Sequence, residues 1–568
     1  MASTQTATEL QELQAPLSIY DGSSRPIPER QFSAANSLQP LVPTDPADEI
    51  SPRTFEAAQA VATAQVTVKN RVLITTLIVV ANTIQFISAF STIAGGLAIS
   101  KSLGRDVGPG QANWMAAAYS LTQGAFVLIT GRLGAIYGHS RLTLAGLVIF
   151  SICSLINGFC NSLPSFIAFR ALTGIGAGVF MPNAVATIML MVPPGRARNV
   201  LMGLFAASPP VGGVLGGLFA GVAAEQGGLG GWTVLFGMLA AGSVACLTWL
   251  WVVLPTEEPV DKGGKIDYVG AFLGLSSLLL FNFTWNQAPS SGWDSPAVIT
   301  TLVLSVALFV AFILWEKSPY PQEPIMPLTV FAAPTFSALI AVVVLSYMTT
   351  GICMWYFLSW QQVLRGRSVL DCGIEFLPFG IGSVAAVALS AYLLPRIAAQ
   401  WIMAVGVVCV FVASLLLATQ PVQQTYWAQT FPAIVFVGFC PDFVYLAAQI
   451  IASNSVSRKH QGVASSLIGT LNLYGNALGL GVAATIETEV VKGSTSGMSE
   501  EENVLNSVSG YRAALYFGAG IAAVSLLLDF AFVRVPKNDR EGWDEGLDDV
   551  DQEPGVLVAS AVERPLGA

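Results

Sequence analysis

The sequence predicts an all-α integral membrane protein of fourteen spans, and three observations predict it. Of 568 residues, 53% are hydrophobic and only 11% charged, whereas soluble domains carry about 25% charged residues. Too few charged side chains remain to cover a chain of this size with a water-facing surface. From Val72 onward, apolar runs recur at about the 20-residue length an α-helix needs to cross a hydrocarbon core. The 54 glycines and 31 phenylalanines suit close helix packing and lipid-facing surfaces.

Taken in order, residues 1–70 are polar, contain prolines and show no early apolar segment, which predicts a disordered cytosolic tail without a cleaved signal. Thr54 to Val68 is a weak candidate for a short surface helix. The spans are placed near 72–97, 112–130, 142–160, 165–190, 200–223, 232–254, 267–285, 297–315, 334–360, 373–394, 401–419, 428–452, 462–485 and 513–533. An acidic tail, 535–568, follows. An even number of spans puts both tails on one side. With the tails inside, the inner loops hold Arg132, Arg141, Arg196, Arg198, Lys262, Lys265, Lys317, Arg396, Arg458 and Lys459. The outer loops hold only Lys101, Arg105, Arg365, Arg367, Lys492 and Arg512. Positive charge favours the cytosolic side, so both termini are expected there.

Compared with itself at an offset of 263, the chain aligns Ser165 with Ala428, Gly212 with Gly475 and Gly216 with Gly479. Two parallel six-helix repeats fit that register, with spans 7 and 8 as an inserted pair. The expected organisation is a first bundle over 71–256, an inserted two-helix segment with linkers over 257–330, and a second bundle over 331–534.

Several classes of function are disfavoured. No basic stripe suggests a nucleic-acid partner. Seven cysteines without metal spacing read as small packing residues. His139 and His460, the only histidines, both fall in expected loops, so no metal or cofactor is expected. No nucleophile, base and orienting group converge in the spans, so no enzyme is expected.

Three motifs carry functional information. Between spans 2 and 3 lies Gly131-Arg132-Leu133-Gly134-Ala135-Ile136-Tyr137-Gly138-His139-Ser140-Arg141, whose glycines permit a tight turn while Arg132 and Arg141 stay cytosolic. It is either a gating loop or simply a positively charged turn. Span 4 contains Arg170-Ala171-Leu172-Thr173-Gly174-Ile175-Gly176, with a charge inside a span. Such a charge is usually functional and partnered; the alternative is snorkelling to the interface. Span 5 carries Ser208-Pro209-Pro210-Val211-Gly212-Gly213, then Gly216, Gly217 and Gly221. Small residues at four-residue spacing allow close backbone approach.

These three motifs resemble the signature loop, the second motif and the antiporter motif of the major facilitator superfamily. With Asp267-Tyr268-Val269-Gly270, Gly292-Trp293, Trp315-Glu316, Pro324-Ile325-Met326-Pro327, Pro441-Asp442-Phe443, Gln461-Gly462-Val463-Ala464 and Glu541-Gly542-Trp543-Asp544, the resemblance is to the fungal fourteen-span drug:proton antiporters. It implies the major facilitator fold, with two six-helix bundles plus an inserted pair. It also implies a gating loop at Gly131, Arg132, Gly138 and Arg141, and an antiporter motif at Pro209, Gly212 and Gly213. Two departures stand out: Ala135 replaces the acid of the signature loop, and span 1 has Gln85 and Ser88 where that branch often places an acid.

Asp442 is the one carboxylate expected near the middle of a span, and it is read as the proton carrier, with Arg170 as a second coupling group. Asp442, Tyr445 and Gln449 share a helix face by spacing. Asn82, Gln85, Tyr119, Gln123, Asn183, Asn472 and Asn476 join Tyr445 and Gln449 as expected cavity-lining groups, the alternative for the amides being hydrogen bonds between helices. A lining of amides and aromatics suits a neutral or amphiphilic molecule. The leading expectation is a monomeric, proton-coupled exporter of toxic or secondary metabolites and xenobiotics, resident in the cell membrane or a vacuolar or vesicle membrane. An uptake carrier or facilitator without proton coupling is the alternative, and a membrane sensor a remote one. The expected partners are a small organic substrate, protons and the lipid bilayer.

Overall fold

The computed structural model describes residues 67–534 apart from 106–107, 109–111, 193–195, 256, 258, 262, 322, 327, 333, 457–460 and 492–499. Most of the N-terminal tail, the C-terminal tail with its Glu541–Asp544 motif, the Thr54 helix, His460 and the Arg458–Lys459 pair lie outside the described residues.

Fifteen α-helices make fourteen span-length stretches among the described residues. They are α1 (Val68–Ser102), α2 (Trp114–Tyr137), α3 (His139–Asn157), α4 (Leu163–Met191), α5 (Arg196–Glu225), α6 (Gly228–Val253), α7 (Tyr268–Ser291), α8 (Pro296–Glu316), α9 (Pro334–Ser359), α10 (Val369–Glu375), α11 (Leu377–Leu393), α12 (Ala399–Thr419), α13 (Thr430–Ser455), α14 (Gln461–Val491) and α15 (Glu500–Phe532). No strand occurs among the described residues. Thirteen stretches are long and apolar enough to cross a membrane, with α10 and α11 counting as one. The fourteenth, α2, is richer in small and polar residues and packs against helices of both bundles.

Local chemistry sets the ends. Thr67 accepts from Asn70 N at the start of α1, Ser162 caps α4, Asp267 accepts from Gly270 N before α7, and Ser368 with Asp371 forms a capping box on α10. Expected span 10 is interrupted at Phe376, where α10 ends and Pro378 sits in the first turn of α11. Expected span 14 starts at Glu500 and not at 513, so part of the stretch expected to lie between spans 13 and 14 is helix. Hydropathy marks where a helix enters lipid, while backbone hydrogen bonding continues past that point. The stretch expected as a loop around 131–141 is likewise mostly helix. Residues up to Tyr137 belong to α2, α3 begins at His139, and Gly138 alone turns the chain at φ +102°, a conformation suited to glycine.

α1 to α6 pack on one another as a first bundle, with α1 on α5, α2 and α3 on α4, and α6 on α1 and α3. α9 to α15 form the second, with α12 and α11 on α13 and α9 on α14 and α15. The bundles meet along two seams, α2 against α14 and α5 against α10 and α11. The inserted pair α7–α8 packs together and lays α7 across α14 and α2.

Candidate functional site

Asp442 sits in the middle of α13, directly after Pro441, which removes one backbone donor from the helix. With Tyr445 and Gln449 it forms a half-buried face, whereas Phe443, Val444, Ala447 and Ala448 on the opposite face are buried. The flanks of this face are set by three contacts. Ser383 on α11 donates to Asp442 Oδ2, Gln449 Nε2 donates to Ser465 O on α14 at 3.2 Å, and Ser465 Oγ donates back to Gln449 Oε1 at 2.5 Å. Because α11 and α14 each pack against a helix of the first bundle, the strip between them lies toward the space between bundles. α4 and α13 pack substantially only within their own bundles, so that space is not filled by contact between them. Tyr347 on α9 donates to Pro441 O at 2.7 Å and leaves Asp442 to Ser383.

Arg170 is fully buried in the first bundle. Its Nη1 donates to Ser88 Oγ at 2.8 Å, and its Nη2 to Ser88 O and Thr92 Oγ1 at 3.2 Å each. The guanidinium lies 4.7 Å from the centroid of Tyr119 and 5.8 Å from that of Phe236. Hydroxyls, a carbonyl and two ring faces therefore do the work of a carboxylate. Arg170 and Asp442 belong to different bundles and are not brought together.

The expected cavity amides have mixed placements. Asn82 donates to Ser208 Oγ across α1 and α5 at 2.6 Å. Asn183 donates to Thr130 O and Val179 O and pairs with His139 Nδ1 at 2.9 Å. His139, expected in a loop, is thus buried at the base of α3. Tyr119 Oη donates to Gln85 O at 3.4 Å. Among the described residues, neither side-chain amide atom of the buried Gln85 has a partner, nor does Gln123 Nε2. Asn476 donates to Asn472 O one turn below. Only Tyr445, Gln449, Asn472 and Asn476 are half-buried; the others lie inside the first bundle.

At the α2–α3 turn, Ala135 contributes only its carbonyl, which accepts from Asp261 N at 3.0 Å. Arg132 instead forms ion pairs with Asp261, at 2.9 Å, and with Glu323. Glu323 also accepts from Lys265 N at 3.1 Å, and Glu257 accepts from Ser140 N at 2.7 Å. The acids come from the two linkers that flank the inserted pair. Arg141 is exposed, and Gly131 lies beside Ser466 of α14.

The α5 glycines serve two interfaces. A Cβ on Gly212 would lie 2.6 Å from Phe86 Cβ, and one on Gly216 2.7 Å from Ile87 O, so these two press α5 onto α1. Gly213 faces Phe90, while Gly217 faces Gly373 and Gly221 faces Leu370 of α10, across the bundle boundary. There the Phe90 ring is tilted against those of Phe376 and Phe379, with centroids 6.1 and 6.2 Å away, and Gln362 donates to Ala94 O at 2.8 Å. Gln362 lies in a π-helical turn, Trp360–Leu364, that ends α9. Beside it Arg365 bonds Val422 O, Gln361 and Thr430, and burial lowers its pKa from the ordinary arginine value. The bundles are thus pressed together on the face where α1 and α5 end.

Sequence reasoning named Ser88 without its contact to Arg170, and it missed Ser383, Asp261, Glu323, Gln362 and the Asn282–Asn286 pair of α7. Only the last left a signal, two amides at i, i+4 spacing in an apolar span. Asn282 donates to Tyr474 O, and Asn286 to Ala477 O, at 3.3 and 3.1 Å. Asn113 of α2 donates to Asn286 at 2.9 Å.

Residues 73–480 match the family model of the Major Facilitator Superfamily. The Low affinity ammonium transporter of Saccharomyces cerevisiae is 33% identical over 74% of this chain and 80% of its own. The Efflux pump terJ of Aspergillus terreus is 32% identical over 74% and 80%. Among solved structures, a bacterial homologue of the human lysosomal transporter Spinster superposes with TM-score 0.58 at 17% identity, covering 84% of this chain and 99% of that one.

Proposed function

The chain belongs to the major facilitator superfamily of membrane transporters, and from that premise we propose that it exports small organic molecules by exchange for protons. The observation that carries this reading is Asp442, a half-buried carboxylate between α11 and α14 with Ser383 as its hydrogen-bond donor and, among the described residues, no ion pair. A carboxyl group in that position can take up a proton from one side and release it to the other as the bundles rock. Arg170 holds α4 to α1 and keeps the first bundle rigid during the motion. The face where α1 and α5 end is the outer one, and both termini are cytosolic. That orientation is tested with Arg105→Cys and Lys317→Cys, exposed positions on opposite faces. An impermeant maleimide should label only the first on intact cells.

The similarity to a named efflux pump favours export. The similarity to a named ammonium transporter favours a second reading, an uptake carrier without proton coupling. Efflux from vesicles with an imposed pH gradient separates them. Gradient-driven efflux by the natural chain should be lost in Asp442→Asn and abolished by an uncoupler. Efflux indifferent to the gradient in the natural chain would leave the facilitator reading standing.

A further inference from the structure

The inserted pair is bonded to both bundles, and the two sets of bonds differ in kind. Toward the first bundle they are mostly made by side chains. Near the Ser291 end of α7, Asn113 Nδ2 of α2 donates to Asn286 Oδ1 at 2.9 Å and Trp114 Nε1 to Gln287 Oε1 at 3.2 Å. The Trp114 and Phe283 rings lie 5.3 Å apart beside them. At the other end of α2, Arg132 pairs with Asp261 and Glu323, one from each linker of the insertion. Asp261 N donates to Ala135 O at 3.0 Å, and Glu257 accepts from Ser140 N at 2.7 Å. Glu323 also accepts from Lys265 N, which ties one linker to the other. The insertion thus grips α2 at both of its ends.

Toward the second bundle the acceptors are main-chain carbonyls of α14. Asn282 Nδ2 donates to Tyr474 O at 3.3 Å and Asn286 Nδ2 to Ala477 O at 3.1 Å. α14 also meets α7 at Gly481, where an added Cβ would lie 2.9 Å from Asn286 N, so no side chain interlocks there.

Parting these two contacts has unequal consequences. Asn113 is fully buried, and its bond to Asn286 is the one its side-chain amide makes among the described residues. Losing that bond strands a buried donor. Asn286 Nδ2 has two hydrogens and three acceptors, namely Asn282 O at 3.0 Å, Asn282 Oδ1 at 2.6 Å and Ala477 O. It can release α14 and stay satisfied within α7. A helix carbonyl accepts such a donor with a second lone pair while serving its own helix. Equivalent carbonyls recur about every 5.4 Å along α14, so a shift of one turn offers α7 the same bonds again.

Carriers of this fold work by rocking one bundle against the other. From the asymmetry of the bonds we infer that α7 and α8 travel with the first bundle, and that the contact of α7 with α14 is a sliding joint. Asn113 and the Arg132 clasp carry the pair, while Asn282 and Asn286 ride along the α14 carbonyls. The insertion broadens the first bundle's footing on the α2–α14 seam and leaves that seam free to move. Neither the direction of transport nor proton coupling enters.

The test measures distances between spin labels on the full chain in lipid nanodiscs by double electron–electron resonance. Labels go on three exposed positions, Ser290→Cys on α7, Asn161→Cys between α3 and α4, and Thr425→Cys between α12 and α13. Of the native cysteines only the half-buried Cys409 is not buried, and Cys409→Ala removes it. Gly217→Trp wedges α5 away from Gly373 of α10 and supplies the second state. The Asn161–Thr425 distance should then shift, the Ser290–Thr425 distance should shift as well, and the Ser290–Asn161 distance should not. Asn113→Leu combined with Asp261→Asn and Glu323→Gln should broaden the Ser290–Asn161 distribution, whereas Asn282→Leu should leave it as narrow as before. Melting temperature is checked for each variant. A Ser290–Asn161 distance that shifts under the wedge would overturn the inference, whether or not Ser290–Thr425 holds. So would three distances that all stay fixed, since the bundles would then not part at that face. An unbroadened Ser290–Asn161 distribution in the triple variant would remove Asn113 and the clasp as the carrying contacts.

Discussion

Arg170 on α4 donates from Nη1 to Ser88 Oγ on α1 at 2.8 Å, so a buried guanidinium is bound by a hydroxyl where a carboxylate would give an ion pair. The charge is spread over two hydroxyls, one carbonyl and two rings.

Replacing Arg170 by alanine should destabilise the purified protein by about 2–3 kcal/mol, from hydrogen bonds of about 0.6 kcal/mol each in membrane interiors plus the ring contacts. Arg170→Met, which fills the space and leaves no unpaired carboxylate behind, should cost less than about 1 kcal/mol. Thermal unfolding in detergent reads both. A methionine variant as unstable as the alanine variant would show that the charge itself holds α1 to α4.

The Arg132 clasp should matter more for gating than for folding. Its members are partly exposed, with 31%, 16% and 29% side-chain exposure for Arg132, Asp261 and Glu323, and exposed pairs contribute about 0–1 kcal/mol each. Asp261→Asn with Glu323→Gln should therefore change the melting temperature little and slow transport several-fold, and raised salt should mimic the pair of substitutions in the natural chain. Transport unchanged by the double substitution would leave the clasp as a surface ornament of the turn.

The two glycine faces of α5 should separate in their effects. Gly212→Val drives new atoms into Phe86 and Thr83 of the same bundle and should cost about 1–3 kcal/mol of stability through overpacking. Gly217→Val acts across the bundle boundary at Gly373; it should leave the melting temperature nearly unchanged and block closure of that face, cutting transport at least tenfold. Equal loss of stability in both variants would mean that α5 and α10 do not part during the cycle.

Much of the fold was legible because hydrocarbon imposes one length scale on every span and one rule for charge between them. Span placement succeeded for α8, expected at 297–315 and found at Pro296–Glu316, whose ends coincide with polar turns. It fell short at α1 and α15, where the helices continue through polar sequence. The site was legible only in part. Asp442 is conspicuous as a lone acid amid apolar residues, but Ser383 lies 59 positions away and is one serine among many. Ala135 announced a missing acid; that Asp261 and Glu323 would supply others could not be read, since linker acids carry no periodicity. The amides Asn82 and Gln85 obey the same helical spacing whether they face a cavity or a neighbouring helix, and Asn183 stands alone on its span, so spacing could not distinguish the two.

The placement of α7 makes the molecule unequal on its two flanks. Asn282 and Asn286 stitch this helix to α14, and Asn113 and Trp114 of α2 bond Asn286 and Gln287, so the α2–α14 seam is screened from the surrounding lipid. The α5–α11 seam has no such cover from α7 or α8. A molecule dissolved in the membrane leaflet would therefore have one doorway. Photoreactive lipid analogues should label α5 and α11 and spare the α2–α14 seam, and equal labelling of both would remove the asymmetry. For a membrane transporter, drawing cargo from the bilayer on a single flank would make lateral orientation among neighbouring proteins a determinant of supply.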